Sequence, residues 1–164
     1  MSSVPPSKPP DDIRFRMAGP DDVPAIHALL TRYAADQLLL PRSPEDILSR
    51  IANFAVAETT DGVFAGCVAL RDYGNRLFEV RSLAVHPDFI ERRIGSNLVR
   101  FQTERLRHSG GCRVFALTYH PHLFTRLGFA PADKALFPEK IWSDCQICPR
   151  QHCCDEDAVL LEVQ

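Results

Sequence analysis

The stretch Ser82–Val99, SLAVHPDFIERRIGSNLV, carries the most suggestive chemical spacing in the chain. Leu83, Ala84 and Val85 end an apolar, strand-like run. His86-Pro87-Asp88 stops it, because proline donates nothing to a ladder and restricts the residue before it. Glu91, Arg92 and Arg93 make a charged turn. Ile94, Gly95 and Ser96 then open a segment with Leu98, Val99, Phe101 and Leu106 at helical spacing. A strand that enters a helix through a small, positive turn presents free amides and the positive end of a helix dipole, a setting that suits phosphate. The two arginines either add charge toward such an anion or are solvated side chains on an unused turn.

A second anion-binding arrangement is Arg42-Ser43-Pro44-Glu45-Asp46. Ser43 is a good N-cap, Pro44 suits the first helical position, and Asp46 follows three residues after the cap. Arg42 beside these amides offers a fork matched to a carboxylate, although a plain cap with an exposed arginine fits the same residues. Glu79 and Arg81 alternate on one strand face with Ser82 on the other. Glu79 is a carboxylate on the strand that leads into the loop, and a surface pair with Arg81 is an equally weighted reading of it. Cys145 and Cys148 have C-x-x-C spacing, and Cys153 and Cys154 follow beyond His152. The later pair is not a clean C-x-x-C. Reduced thiols tying down a loop are therefore preferred over a structural zinc, and no metal is assigned.

The elements that must position these residues can be read from periodicity. A strand covers Asp12–Met17, and a helix follows over Gly19–Gln37 with Val23, Ile26, Leu29, Leu30 and Tyr33 on one face. A second helix starts at Ser43. FAVAET, VFAGCVALRDY and LFEVRSLAVH are three strands, joined by turns at Asp61-Gly62 and Gly74-Asn75. The long helix after the loop ends at Gly110-Gly111. CRVFALTY is a fifth strand, HLFTRLGF a short helix closed by Gly128, and DAVLLEV a terminal strand. This order makes a mixed α/β sandwich with a crossover from the fourth strand to the fifth. Cys67 and Cys112 read as core fillers.

With 164 residues the chain fits one domain, expected over 12–164 behind a polar, Pro-rich, disordered leader over 1–11. Apolar and charged fractions of 45% and 24% suit a soluble globular protein. A net charge of −2 argues against a nucleic-acid binder, and no run has the length of a membrane span. Six cysteines without a secretion signal point to a reducing compartment, so the expected location is cytoplasmic.

This element order, with the loop where it stands, resembles the GNAT superfamily of acyl-CoA-dependent N-acyltransferases. The motifs LLLPRS, EVRSLAVHPD, VFALTYHP, LFTRLGF and KIWSDCQICPRQHCCDEDAVLLEV are similar to those of the short, single-domain bacterial N-acetylglutamate synthases. The resemblance implies an α/β (α+β) fold in which a mixed central sheet is flanked by helices. It implies that Leu83–Val85 pair with the pantetheine arm of coenzyme A, and that Glu91, Arg92, Arg93, Ile94, Gly95 and Ser96 hold its pyrophosphate. The superfamily loop has Gln or Arg where this chain has Ile90, and glycine where it has Arg93. A reshaped donor site is expected rather than a lost one.

The resemblance also implies roles around the reacting atoms. Glu79 stands where the family has a candidate base, acting directly or through water. Ser82 and Thr118 lie where two strands splay around the thioester; their hydroxyls order a water, donate to the sulfur, or simply fill strand positions. Many members carry a tyrosine acid four residues before the GF pair. Here that position is Phe124, a donor contact with no proton to give, which leaves Tyr119, Thr118 or water. Arg42 and Ser43 stand at the family's amino-acid acceptor, with Arg81 and Lys140 for a second carboxylate. Cys145, Cys148 and Cys154 match a cysteine pattern of the short synthases, three ligands rather than four. The implied reaction is acetyl transfer from acetyl-CoA to the α-amine of L-glutamate in a ternary complex, the first committed step toward arginine. Another amino acid or amine such as glutamine, or a catalytically silent acyl-CoA-binding module, is the alternative. Acetyl-CoA and L-glutamate are the implied partners, nucleic acid and membrane are not, and a homodimer is open.

Overall fold

The computed structural model describes residues 12–36, 39, 41–90, 92–108, 110–136 and 157–163. Its centre is an antiparallel meander of β2 (Phe54–Thr59), β3 (Phe64–Asp72) and β4 (Leu77–Val85). The turns between them use Gly62 and Gly74 at φ of 89° and 81°, a region that costs glycine nothing. β1 (Ile13–Met17) lies antiparallel to β2. α1 (Val23–Ala35) and α2 (Pro44–Ser49) separate β1 from β2 in sequence. α3 (Ile94–Arg105) leads from β4 to β5 (Cys112–Thr118), which pairs with β4 in parallel. α4 (Pro121–Thr125) and the short β6 (Ala130–Ala132) precede β7 (Asp157–Val163), and β7 inserts between β5 and β6. Among the described residues the seven strands run β1-β2-β3-β4-β5-β7-β6.

β6 has no counterpart in the periodic reading. Three residues around Pro131 give no alternation to detect, and an edge position tolerates the proline. Elsewhere the local signals hold. Ser43 caps α2 by accepting the Asp46 amide at 3.1 Å, with Pro44 at the first position. The helical spacing of Val23, Ile26, Leu29 and Leu30 buries all four against the sheet.

The sheet separates the two larger apolar clusters of the described residues. On one face Ile94, Leu98 and Val99 of α3 and Phe124 of α4 pack on Val68, Val80 and Val114. On the other, α1 and Ile47 of α2 pack on Phe54, Val56, Cys67 and Ala84. Cys67 and Cys112 are both buried, and burial pushes the Cys67 thiol up to about 12. Among the described residues no helix is long and apolar enough to cross a membrane. The leader over 1–11, Glu91, Lys140 and the cysteines at 145, 148, 153 and 154 lie outside the described residues.

Candidate active site

β4 and β5 pair only through Leu77–Arg113, Phe78–Val114 and Glu79–Phe115, after which β4 runs on to Val85 and β5 to Thr118 without pairing. The parallel pair therefore opens into a V, and Glu79 sits at its apex. The His86 amide donates to the Ala65 carbonyl of β3 at 2.8 Å. In a trans peptide the Val85 carbonyl must then face the other way, across the V. Tyr33 of α1 donates its hydroxyl to that carbonyl at 2.7 Å.

A β-bulge shapes the arm of β4 beyond the apex. Cys67 aligns with Ala84 but Ala69 with Arg81, so Ser82 and Leu83 together face Val68. Ser82 takes φ 54°, and bulges of this kind re-aim side chains beside functional sites. Its hydroxyl accepts from Arg42 Nη1 at 3.2 Å, and its carbonyl lies 3.6 Å from the Cys67 thiol. Leu83 and Val85 turn to the α3 face and Ala84 to the α1 face.

Beside the apex lies a pocket of about 160 Å³ lined by Arg42, Arg50, Arg71, Arg81 and Asp46, with Phe54 among its walls. Among the described residues four guanidinium groups meet here, with Asp46 beside Arg42 and Arg50 and Glu79 beside Arg81, an excess of positive charge that suits an anion. Arg42 is far from the exposed arginine of a plain cap: 6% of its side chain is exposed. Its Nε donates to Asp46 at 2.7 Å, and its guanidinium lies 5.2 Å over the Phe54 ring. Burial lowers the guanidinium below its ordinary value, though an arginine stays charged. For Asp46, burial works upward, but the Arg42 hydrogen bond and the charges of Arg42, Arg50 and Arg81 outweigh it and hold the carboxyl low.

Glu79 is 2% exposed, so the expected surface strand pair is corrected to a buried one. Its Oε1 accepts the Tyr73 hydroxyl at 2.7 Å and lies 3.7 Å from Arg81 Nη1. Tyr73 in turn leans on Phe115, ring centroids 5.8 Å apart. Tyr73 and Arg81 thus fix the Glu79 carboxylate beside the arginine pocket.

Past the end of β4 a cavity of about 460 Å³ is lined by Val85, Arg93, Ile94, Gly95, Ser96, His122 and Arg126 among others. Arg93 is the N-cap of α3 at φ 59° and ψ 24°, the left-handed region, which costs an L residue roughly 1–2 kcal/mol. The position thus keeps the backbone shape that glycine favours while carrying an arginine. Space at Gly95 is tight: a Cβ there would come 3.1 Å from Leu123 Cδ1, so Leu123 would have to give way by a few tenths of an ångström.

Four expectations change. Arg92 does not line the cavity; it turns to Asp12, with Nη2 at 2.5 and 2.6 Å from the carboxylate oxygens, a partner 80 residues away. Phe124 is 3% exposed and packs edge-on against Phe129 at 5.2 Å, a core residue rather than a donor contact. The Thr118 hydroxyl accepts the His120 amide at 2.8 Å and so shapes the turn after β5; Tyr119 beside it is half-buried. Ser43 contributes its hydroxyl to the α2 cap and does not line the arginine pocket. Tyr33, Asp46, Arg50, Arg71, His122 and Arg126 are additions. The i, i+4 spacing of Arg42, Asp46 and Arg50 signals the α2 cluster, whereas Arg71 and Tyr33 arrive only through long-range packing.

The acetyltransferase (GNAT) domain family matches residues 50–131 of the chain. An uncharacterized N-acetyltransferase of Chlorobaculum tepidum is 38% identical over 93% of this chain and 97% of its own. An amino-acid acetyltransferase of Mycobacterium tuberculosis is 36% identical over 73% of this chain and 71% of its own. Among solved structures, N-acetylglutamate synthase from Neisseria gonorrhoeae, complexed with coenzyme A and N-acetyl-glutamate, superposes with a TM-score of 0.81 at 27% identity. That match covers 93% of this chain but 35% of the synthase, so the chain spans about a third of the longer enzyme. The V between β4 and β5, the glycine-like turn into α3 and these matches together make the chain a member of the GNAT acetyltransferase family.

Proposed function

We propose that this chain transfers acetyl from acetyl-CoA to the α-amine of L-glutamate, the reaction of an N-acetylglutamate synthase and the first step toward arginine. One observation carries the choice of acceptor: a pocket of about 160 Å³ with four arginines and one aspartate adjoins the buried Glu79. An amino acid with a second carboxylate matches that charge excess. The residues also fit the donor. The V leaves the Val85 carbonyl facing the gap, and the turn into α3 and the end of α4 set Arg93 and Arg126 around a cavity sized for phosphates. When bound, acetyl-CoA supplies an acyl group activated as a thioester.

The protein's own residues do the rest. The arginine pocket binds the acceptor's carboxylates and thereby orients its amine toward the V. Glu79, held by Tyr73 and Arg81, takes the ammonium proton directly or through water and frees the lone pair for attack. Tyr119, Thr118 or solvent returns a proton to the leaving sulfur, since Phe124 carries none. Direct attack in a ternary complex is the proposed route; Cys67 is a buried core residue whose thiol burial pushes up, which makes it a poor nucleophile.

Thiol release from acetyl-CoA, measured with a panel of amino acids and carboxylate-free amines, tests the reading. Glutamate is expected to give the highest kcat/KM. Preference for an amine with no carboxylate, or no release with any acceptor, overturns it.

A further inference from the structure

We propose that Asn97 is the positioning residue that holds Arg93 in its left-handed conformation and so aims the first amides of α3 into the adjoining cavity. The inference rests on reading that cavity as the donor's pyrophosphate site. Asn97 is 4% exposed and lies one turn into α3. Its Nδ2 donates to the Arg93 carbonyl at 2.8 Å, and its backbone amide donates to the same oxygen at 3.2 Å. From the other side Arg100 Nη2 donates to Asn97 Oδ1 at 2.7 Å. The oxygen meets a donor and the nitrogen an acceptor, which fixes the sense of the amide. The side chain is clamped at both ends.

The clamp acts on the peptide that matters. In a trans peptide the carbonyl and the next N–H point in opposite directions. Drawing the Arg93 carbonyl down the helix onto Asn97 therefore turns the Ile94 N–H out of the helix end, where Arg93, Ile94, Gly95 and Ser96 line the cavity. Glycine at position 93 would take φ 59° without a Cβ penalty, whereas arginine there has to be held. Ser96 Oγ approaches the same carbonyl only to 3.4 Å, a longer and weaker contact. Asparagine is also a poor helix former, so a buried one in the first turn calls for a role beyond propensity.

The test is a cycle of Asn97→Ala and Arg93→Gly, singly and together, in the full chain. Coenzyme A affinity is read by titration calorimetry, with melting temperatures and the KM for glutamate alongside. Asn97→Ala alone is expected to weaken coenzyme A binding about tenfold, the order of one lost hydrogen bond, with the KM for glutamate unchanged. In the Arg93→Gly chain the same replacement is expected to change affinity by less than about twofold. Equal losses in both backgrounds, or unchanged affinity in the parent background, overturn the assignment. Should Asn97→Ala fail to fold, folding of the double variant supports the proposal and failure of both overturns it. A parent that binds no coenzyme A overturns the donor reading instead. The melting temperatures then decide the Asn97 assignment: a fall confined to the Arg93 background supports it, and equal shifts overturn it.

Discussion

The two ends of the V are built differently. At the end we assign to the acceptor, side chains carry the charge, and they are fixed by one another: Arg42 by Asp46 and Ser82, Glu79 by Tyr73 and Arg81. At the end we assign to the donor the backbone is the instrument. A left-handed N-cap, a crowded glycine and a helix start define the cavity, with Arg93 and Arg126 at its wall. A side-chain site is selective but vulnerable to one truncation, because a buried charge left unpaired is costly. A backbone site tolerates exchange of its side chains while its φ and ψ are kept. That is how arginine can stand where the superfamily has glycine.

The largest effect separating the two ends is expected at Glu79. Glu79→Gln keeps the volume and the Tyr73 contact but removes the basic oxygen. It should lower kcat by about 10²–10⁴-fold and spare coenzyme A affinity. The deficit should shrink as pH rises and free amine becomes available without the enzyme. Parent-like turnover at neutral pH would reduce Glu79 to a structural residue.

Arg42→Ala comes next. Loss of a charge-assisted pair, about 1.5–3 kcal/mol, should raise the KM for glutamate roughly 10- to 150-fold and leave that for acetyl-CoA nearly unchanged. Arg42→Lys should fall between, since it keeps the charge but not the fork. Gly95→Asp gives the mirror image. It sets a negative side chain at the helix start and against Leu123, and should weaken coenzyme A binding about tenfold or more while sparing glutamate. Equal damage to both substrates by either variant would merge the two sites.

Legibility in the sequence followed the range of the interactions. The Ser43 cap, the hairpin glycines and the helical stripe of α1 rest on neighbours within a few residues, and all stand as expected. The loop into α3 was recognisable by its spacing, but the fate of its arginines was not. Arg92 is claimed by Asp12 at the start of β1, and Arg93 depends on a helix side chain four residues on. For Glu79 the sequence leaves a base and a surface pair with Arg81 equally open, because Arg81 alternates with it. The register that sets Arg71 across from it, and the Tyr73 hydroxyl that reaches it, appear only once β3 and β4 pair.

The smallest effect is on stability. The folded Asp46 carboxyl lies below its unfolded value, about 3.9. Its contribution is therefore complete above that pH and is lost as pH falls through the folded value. With 42% of the side chain exposed, the contribution is small, of the order of surface pairs at about 0.2–1 kcal/mol. Asp46→Asn should flatten that part of the acid limb of a stability curve. An unchanged limb would mean that the pair with Arg42 adds no pH-linked stability.

The central claim is that the arginine pocket selects a second carboxylate, and the ratio of kcat/KM for glutamate to that for glutamine measures it most directly. The two acceptors share size and shape and differ by one charge. A ratio of about ten or more in favour of glutamate, falling toward one in Arg42→Ala, is the predicted result. A ratio near one in the parent, or a preference for glutamine, would contradict it.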